Sequence, residues 1–446
     1  MDLETTTVEV ERGVREADQR RVANILSGLG PVEAVQLLER LNAKRRVTVF
    51  LLLSKEAAPL VFERLDPELQ RELILRLEAS EAAAIFATLR PEDRARLLDI
   101  TPARTAERLL AGLPPAQQEI TSALLRYPRG TIGHWMRSDP LSLHPELTAA
   151  QALGLVRDST DKVDTLCILP VADAAGRLIG VVTLPDVIGT NPETHIADIM
   201  RTPESVRVDI PAEEAARRCA DLKLLAVPVV DEAGRLVGSL TVADALRILE
   251  DAESEDTARA GGSEPLRRPY LATPVMRLVR SRVVWLLMLA VSAILTVQVL
   301  EIFEATLEQM VVLALFIPLL TGTGGNTGNQ AATTVTRALA LGDVRIRDMG
   351  KVLLREVRVG AALGVMLGGL GFALASIFYG AGVGLVIGLT LLSVCTMAAT
   401  VGGAMPLIGK SIRVDPAVFS NPFISTFCDA TGLVMYFLIA RTVLNL

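Results

Sequence analysis

Asp429 sits in STFCDATGLVMYF, near the middle of an apolar stretch long enough to cross a membrane. An isolated carboxylate at that depth costs at least ~2.5 kcal/mol to insert, and such residues usually face an ion path. No Lys or Arg lies between Val283 and Thr336, and no charge between Val359 and Gly409, so no buried base is offered as its partner. That absence favours a cation. A protonated Asp hydrogen-bonded to a neighbouring helix is the plainer alternative. A second polar feature, FIPLLTGTGGNTGNQ (316–330), interrupts another apolar stretch. Pro318 removes a backbone donor, Gly322, Gly324, Gly325 and Gly328 loosen a helix, and Asn326, Asn329 and Gln330 add amides. Irregular polar backbone at membrane depth is tolerated only against protein or a water-filled cavity. The segment therefore predicts a path lining, with a kinked packing helix as the alternative. Its spacing matches neither GxGxxG nor a phosphate-binding loop.

The third feature is EDAESED (250–256), five acids in seven residues. Packed like charge repels itself and favours a divalent cation as neutraliser, although a solvated helix face would look the same. Elsewhere the chemistry is sparse. His134, His144 and His195 are scattered without ligand spacing, and Cys167, Cys219, Cys395 and Cys428 form no CxxC pair. No zinc knuckle, disulfide framework or catalytic constellation is expected, and the chain does not read as an enzyme.

The elements that must position these residues follow from composition. The 446 residues are 50% hydrophobic and 22% charged. A mean hydropathy of +0.40 is high for so many charges and hides two unlike parts. Residues 281–446 hold 10 Lys/Arg and 8 Asp/Glu; residues 1–280 hold 35 and 43. The first part is an acidic, water-facing chain and the second a membrane chain. This excludes a basic nucleic-acid binder, a collagen-like chain and a disordered one. The start, MDLETTTVEVER, has no basic or apolar signal region, so the N-terminus is expected in the cytosol.

Five spans are expected, at roughly 282–302, 309–335, 355–378, 383–408 and 419–441. Arg277, Arg280 and Arg282 precede the first, whereas Glu301, Glu304 and Glu308 follow it. Arg337, Arg345, Arg347, Lys351, Arg355 and Arg358 lie around the next connection, and Lys410 and Arg413 around the last. Basic residues thus alternate sides, which puts the N-terminal domains in the cytosol and the C-terminus outside.

The water-facing part contains two repeats. Leu41, Leu65, Leu89 and Leu113 recur every 24 residues, and Pro67, Pro91 and Pro115 stand at first helical positions, with Asp66 as an N-cap. A short period of amphipathic helices predicts a stacked solenoid, with a plain bundle as alternative. Further on, ILPVADAAGRLIGVVTLPDVI (168–188) reappears as AVPVVDEAGRLVGSLTVADAL (226–246), identical at ten positions. Each copy predicts strand, glycine turn, strand and helix. This pattern resembles a tandem pair of CBS domains. In that family Thr-x-x-Asp, here Thr241 with Asp244 and Thr183 with Asp186, often holds a ribose, which implies ATP or another adenine nucleotide as a candidate ligand.

The order of parts, with GTGGNTGNQAATTVTRALALGD (322–343) and VDPAVFSNPFISTFCDATGL (414–433), resembles the MgtE family of magnesium channels over essentially the whole chain. The fold class expected is a multidomain membrane protein: an all-α helical-repeat N domain, α/β tandem CBS domains and a five-helix transmembrane domain. The domains expected are a flexible N-terminus (1–20), helical repeats (21–129), the CBS pair (130–250, divided into about 130–190 and 195–250), an acidic connector helix and linker (251–280) and the pore domain (281–446). The resemblance implies a homodimer in the lipid bilayer, importing Mg²⁺ down its gradient, with no nucleic acid and no obligatory protein partner. It places Asp429 at the central ion site, with Asn329, Asn421, Asn326 and Gly325 nearby and Asp415 at the cytosolic end. Glu304 and Glu308 would stand at the outer mouth. Regulatory Mg²⁺ would bridge Asp244, Asp251, Glu255 and Asp256 and close the pore. The family often has a paired-Asp segment where this chain has LEASEAAAIF (77–86), and Arg247 and Ala252 stand where acids are expected. A channel for Co²⁺ or Mn²⁺, and a membrane-anchored CBS sensor that does not conduct, are the rival readings.

Overall fold

The computed structural model describes residues 3–138, 140–159, 166–266, 270, 273–412 and 421–446. Contacts divide the chain into two compact units, Met1–Glu253 with Arg267–Thr273, and Ser254–Leu266 with Pro274–Leu446.

The first unit begins with ten helices: α1 (Leu3–Arg15), α2 (Gln19–Ser27), α3 (Pro31–Arg40), α4 (Ala43–Leu51), α5 (Ala57–Arg64), α6 (Pro67–Arg76), α7 (Ala79–Thr88), α8 (Pro91–Ile100), α9 (Ala103–Ala111) and α10 (Pro115–Leu125). From α3 onward each packs on the next but one, α3 on α5 through to α8 on α10, which is the stacking of a solenoid. The four leucines of the 24-residue period are buried at the helix junctions. Asp66 accepts from the Glu68 amide at 2.9 Å, and Pro67, Pro91 and Pro115 all sit in first turns. A second period lies within the first. Arg46, Gln70 and Arg94, also 24 apart, donate to the carbonyls of Leu38, Phe62 and Phe86 at 2.8, 2.7 and 3.3 Å. Each satisfies a helix-end carbonyl that would otherwise be buried unpaired.

The CBS repeats follow. The first holds α11 (Ala149–Asp158), β2 (Ile168–Ala172), β3 (Leu178–Thr183) and α12 (Leu184–Gly189). After α13 (Ile196–Ile199), the second holds β4 (Val206–Arg207), α14 (Ala212–Asp221), β5 (Ala226–Val230), β6 (Leu236–Thr241) and α15 (Val242–Ala260). The β2–β3 and β5–β6 hairpins are antiparallel, and their turns place Gly176 and Gly234 at φ of +74° and +75°. Only glycine takes that conformation without strain. The repeats also exchange entry segments. The strand β1 (Arg137–Ser138), ahead of the first repeat, pairs with β6 of the second, and Arg201, ahead of the second, bridges Val181 of the first. The acidic run therefore does not open a helix of its own: it continues α15, which closes at Gly262 with φ of +65°.

The second unit carries the membrane-crossing segments. Among the described residues five helical segments are long and apolar enough to cross a bilayer: Val275–Ile302, Val311–Ala340, Ile346–Tyr379, Ala381–Ser411 and Pro422–Leu444. They are built on α16 (Val275–Ile302), α18 (Ile317–Ala340), α19 (Met349–Tyr379), α20 (Ala381–Ser411) and α21 (Asn421–Leu444), with the short α17 (Glu304–Gln309) between the first two. The number matches the expectation, and several helices run past the expected ends because their terminal turns are polar.

The Gly-rich segment differs from expectation. It is not irregular. Pro318 falls in the first turn of α18, where its missing N–H costs nothing, and the helix is continuous through Gly322–Gln330. Its glycines are contact positions. A Cβ on Gly324 would meet Val394 at 2.8 Å, and one on Gly328 would meet Ile424 at 2.9 Å. On α19, the stripe Gly360, Gly364 and Gly368 lies against Cys395 to Thr396, Leu392 and Gly388 of α20. Without a hydrophobic drive between helices in lipid, such close approach is what holds them together.

Candidate functional site

The intramembrane site is built by α18 and α21, which run side by side. Asn329 donates from Nδ2 to Ser425 Oγ at 2.9 Å, and its Oδ1 is buried without a partner. Gly325, one turn earlier on α18, is also against Ser425: a Cβ there would stand 3.2 Å from the hydroxyl. Asp429 lies one turn beyond Ser425 on α21 and is half-buried. Among the described residues no hydrogen bond or ion pair reaches its carboxylate. Asn326 and Gln330, a turn apart on α18, are exposed. This helix pair thus offers a carboxylate, an orphaned carbonyl oxygen and amides, whose oxygens suit a hard cation and whose N–H groups suit the water around it. Ser425 had no place in the sequence reading. Its signal was its position four residues before Asp429, on the same helix face.

Not every expected residue can be placed. Asn421 begins α21, and its side chain lies outside the described residues; Asp415 lies outside them altogether. Glu304 and Glu308 are both exposed on α17.

On the first unit, Asp244 is buried at the start of α15. Thr241 Oγ1 donates to its Oδ2 at 2.7 Å, and Arg137 Nε donates to the same oxygen at 3.0 Å. Burial alone would push the Asp244 carboxyl up; the Thr241 bond and the Arg137 and Arg90 guanidinium groups outweigh it and hold it below its ordinary value. The carboxylate of Asp186, the matching residue of the first repeat, accepts from Thr183 Oγ1 at 2.8 Å and from Arg201 at 3.1 Å. The exchanged entry segments deliver both arginines. In both Thr-x-x-Asp pairs the threonine is thus bonded to its aspartate, with a guanidinium added.

Asp251 lines a cleft of about 600 Å³ between the helical repeats and the second CBS repeat. In the second unit, Glu255 is ion-paired with Arg259 one turn on, and Asp256 is exposed. Among the described residues no three His, Cys, Asp or Glu side chains converge on one point.

Comparison with known proteins gives this geometry a context. The family described as "Divalent cation transporter" matches residues 317–439, which include α18 to α20 and most of α21. The family "MgtE intracellular N domain" matches 29–130, and "CBS domain" matches 132–191 and 196–251. The magnesium transporter MgtE of Thermus thermophilus is 36% identical over 99% of this chain and 99% of its own. The chain belongs to the MgtE family. The MgtE of Enterococcus faecalis is 30% identical over 71% of this chain and 70% of its own. A crystal structure of the cytosolic domain of the Mg²⁺ channel MgtE in complex with ATP covers 54% of this chain and 99% of its own length, with a TM-score of 0.50 and 32% identity. The chain is thus a multi-pass membrane protein of a transporter family and not an enzyme.

Proposed function

We propose that this protein imports Mg²⁺ down its electrochemical gradient, along a path lined by α18 and α21 of two subunits. The observation that carries this is the Asp429 carboxylate, without a partner among the described residues and one turn from the Ser425 that holds Asn329, since a carboxylate and a buried amide oxygen at membrane depth carry a cost that a cation or its water relieves. Two copies of Asp429, with Asn326, Asn329, Asn421 and Gly325 around them, would grip a largely hydrated ion, because Mg²⁺ sheds its water reluctantly. Asp415 would stand at the cytosolic end, and Glu304 and Glu308 at the outer mouth. Two inward-moving charges gain about 4.6 kcal/mol per 100 mV of inside-negative potential, so no ATP hydrolysis is required.

The alternation of basic connections supports a cytosolic N-terminus and an extracytoplasmic C-terminus. We assign the domains as helical repeats, CBS pair, acidic connector and pore, with the boundaries expected from sequence. Gating would follow cytosolic Mg²⁺ bridging Asp244, Asp251, Glu255 and Asp256 in the closed state. These oxygen donors suit Mg²⁺, but Asp244 must leave Arg137 to take a share of it, which sets a threshold. Thr241 and Asp244 are also the residues proposed to meet the ribose of an adenine nucleotide.

The test is uptake in a host lacking its own Mg²⁺ transport. Wild type should restore uptake, whereas Asp429→Ala, equally abundant in the membrane, should not. Unchanged uptake in the variant would remove Asp429 from the path. Failure of the wild type with Mg²⁺, but success with Co²⁺ or Mn²⁺, would reassign the ion.

A further inference from the structure

The seam between the helical repeats and the second CBS repeat lies wholly within the first unit, and it carries its own cations. The helix α8 turns two buried carboxylates, Glu92 and Asp93, toward the CBS pair. Arg90, just before them, lies 3.4 Å from Glu92 and 3.0 Å from Asp93. Arg247, from α15 of the CBS repeat, lies 3.8 Å from Asp93 and 4.0 Å from Asp244. Arg247 thus stands between one carboxylate of each domain, at ion-pair range, while Arg90 neutralises the pair on its own helix. The seam is also fixed by apolar and aromatic contact. Ala95 and Leu124 of the helical repeats belong to the core of the second CBS repeat. Arg96 and Arg247 lie over the Trp135 ring, 4.7 and 5.6 Å from its centre. A planar guanidinium stacks on an indole in this way while keeping its charge near carboxylates.

We propose that the helical repeats are clamped onto the CBS pair by arginines rather than by a divalent cation, so that this seam stays closed whether or not Mg²⁺ is present. Facing carboxylates repel until something positive stands between them. Here the neutralising charge is covalently part of the chain. It cannot be diluted away, and removing free Mg²⁺ leaves it in place. Cation sensing in this protein then falls to Asp244 and the connector carboxylates, and not to Glu92 and Asp93. The inference stands apart from the transport reading, because the seam would be clamped in the same way in a protein that conducted nothing.

Hydrogen exchange of the full-length protein in lipid nanodiscs tests it, comparing excess Mg²⁺ with EDTA. Amides of α8 and of residues 132–138 should change by less than about twofold in exchange rate on Mg²⁺ removal. In the double variant R90Q/R247Q they should exchange roughly tenfold faster or more in EDTA, with the β5–β6 hairpin still protected. A roughly tenfold loss of α8 protection in wild type on adding EDTA would overturn the proposal, as would an R90Q/R247Q protein that exchanged like wild type. If the variant lost the β5–β6 protection as well, the single variant R247Q in EDTA replaces it. Its α8 amides should exchange at least about twofold faster than wild type, and exchange like wild type would overturn the proposal. Exchange of residues 250–260 in the same sample reports on the connector separately. Its response to Mg²⁺ can fail without touching the seam, and the reverse.

Discussion

Asn329 and Ser425 join α18 to α21 through one hydrogen bond of 2.9 Å, and that bond spends the amide's N–H while leaving its carbonyl oxygen buried and unpaired. The serine hydroxyl therefore decides which end of the Asn329 amide is presented. Ser425→Ala would leave both ends of the amide unsatisfied. We expect a loss of about 1–2 kcal/mol in stability and reduced Mg²⁺ uptake, with Ser425→Thr retaining both. Thermal unfolding in detergent, alongside uptake, checks this.

Gly364 and Gly369 lie on one helix and make opposite predictions. A methyl at Gly364 would stand 2.7 Å from the Leu392 backbone, whereas nothing lies within 4 Å of one at Gly369. Gly364→Ala should cost roughly 1–3 kcal/mol, because backbone rather than a flexible side chain must move. Gly369→Ala should leave the melting temperature unchanged. Equal effects would mean that α19 and α20 do not pack as described.

Glu92 gives a pH signature. Burial pushes its carboxyl above the ordinary value of 4.5, against the pull of Arg90. A raised folded-state value means that the charged form costs stability at neutral pH, and that the cost is relieved as pH falls through the raised value. Glu92→Gln should therefore be neutral or stabilising at neutral pH, and the difference from wild type should vanish in acid. Denaturant unfolding across that range tests the sign.

For gating, Glu255→Gln with Asp256→Asn should leave conduction less sensitive to cytosolic Mg²⁺. Patch-clamp or flux titration should show the inhibition midpoint moved upward. Inhibition at an unchanged concentration would exclude both residues from the sensor.

Much of this was legible in the sequence, and each success had a local cause. Leu41 to Leu113 were readable because a solenoid repeats its junctions, and the CBS pair because 168–188 recurs at 226–246. Asp429 stood out as a candidate because charge is so scarce around it. The α18 segment was misjudged because glycine and proline signal irregularity only where they lack partners; at the first turn and against Val394 or Ile424 they signal fit. What stayed hidden depends on distant partners. Arg46, Gln70 and Arg94 look unrelated by type, and only the fold shows that they serve the same carbonyl position. Arg137 precedes Asp244 by 107 positions, and no spacing rule joins them.

One consequence concerns where motion can occur. Between α19 and α20 stands the single residue Gly380, at φ of +93°, and along their length the two backbones meet through Gly364 and Gly368. Helices meshed that closely cannot slide by a residue without collision, so they behave as one stiff blade. In contrast α16 buries none of its residues within the chain, and α18 meets α21 through Gly325 and Gly328 and, among the described residues, one polar bond. Any opening stroke must then be a tilt of that blade as a whole, or a slip at the α18–α21 contact. A crosslink across the Gly364–Leu392 contact should leave either stroke intact, whereas one between positions 328 and 424 should jam the slip and spare the tilt.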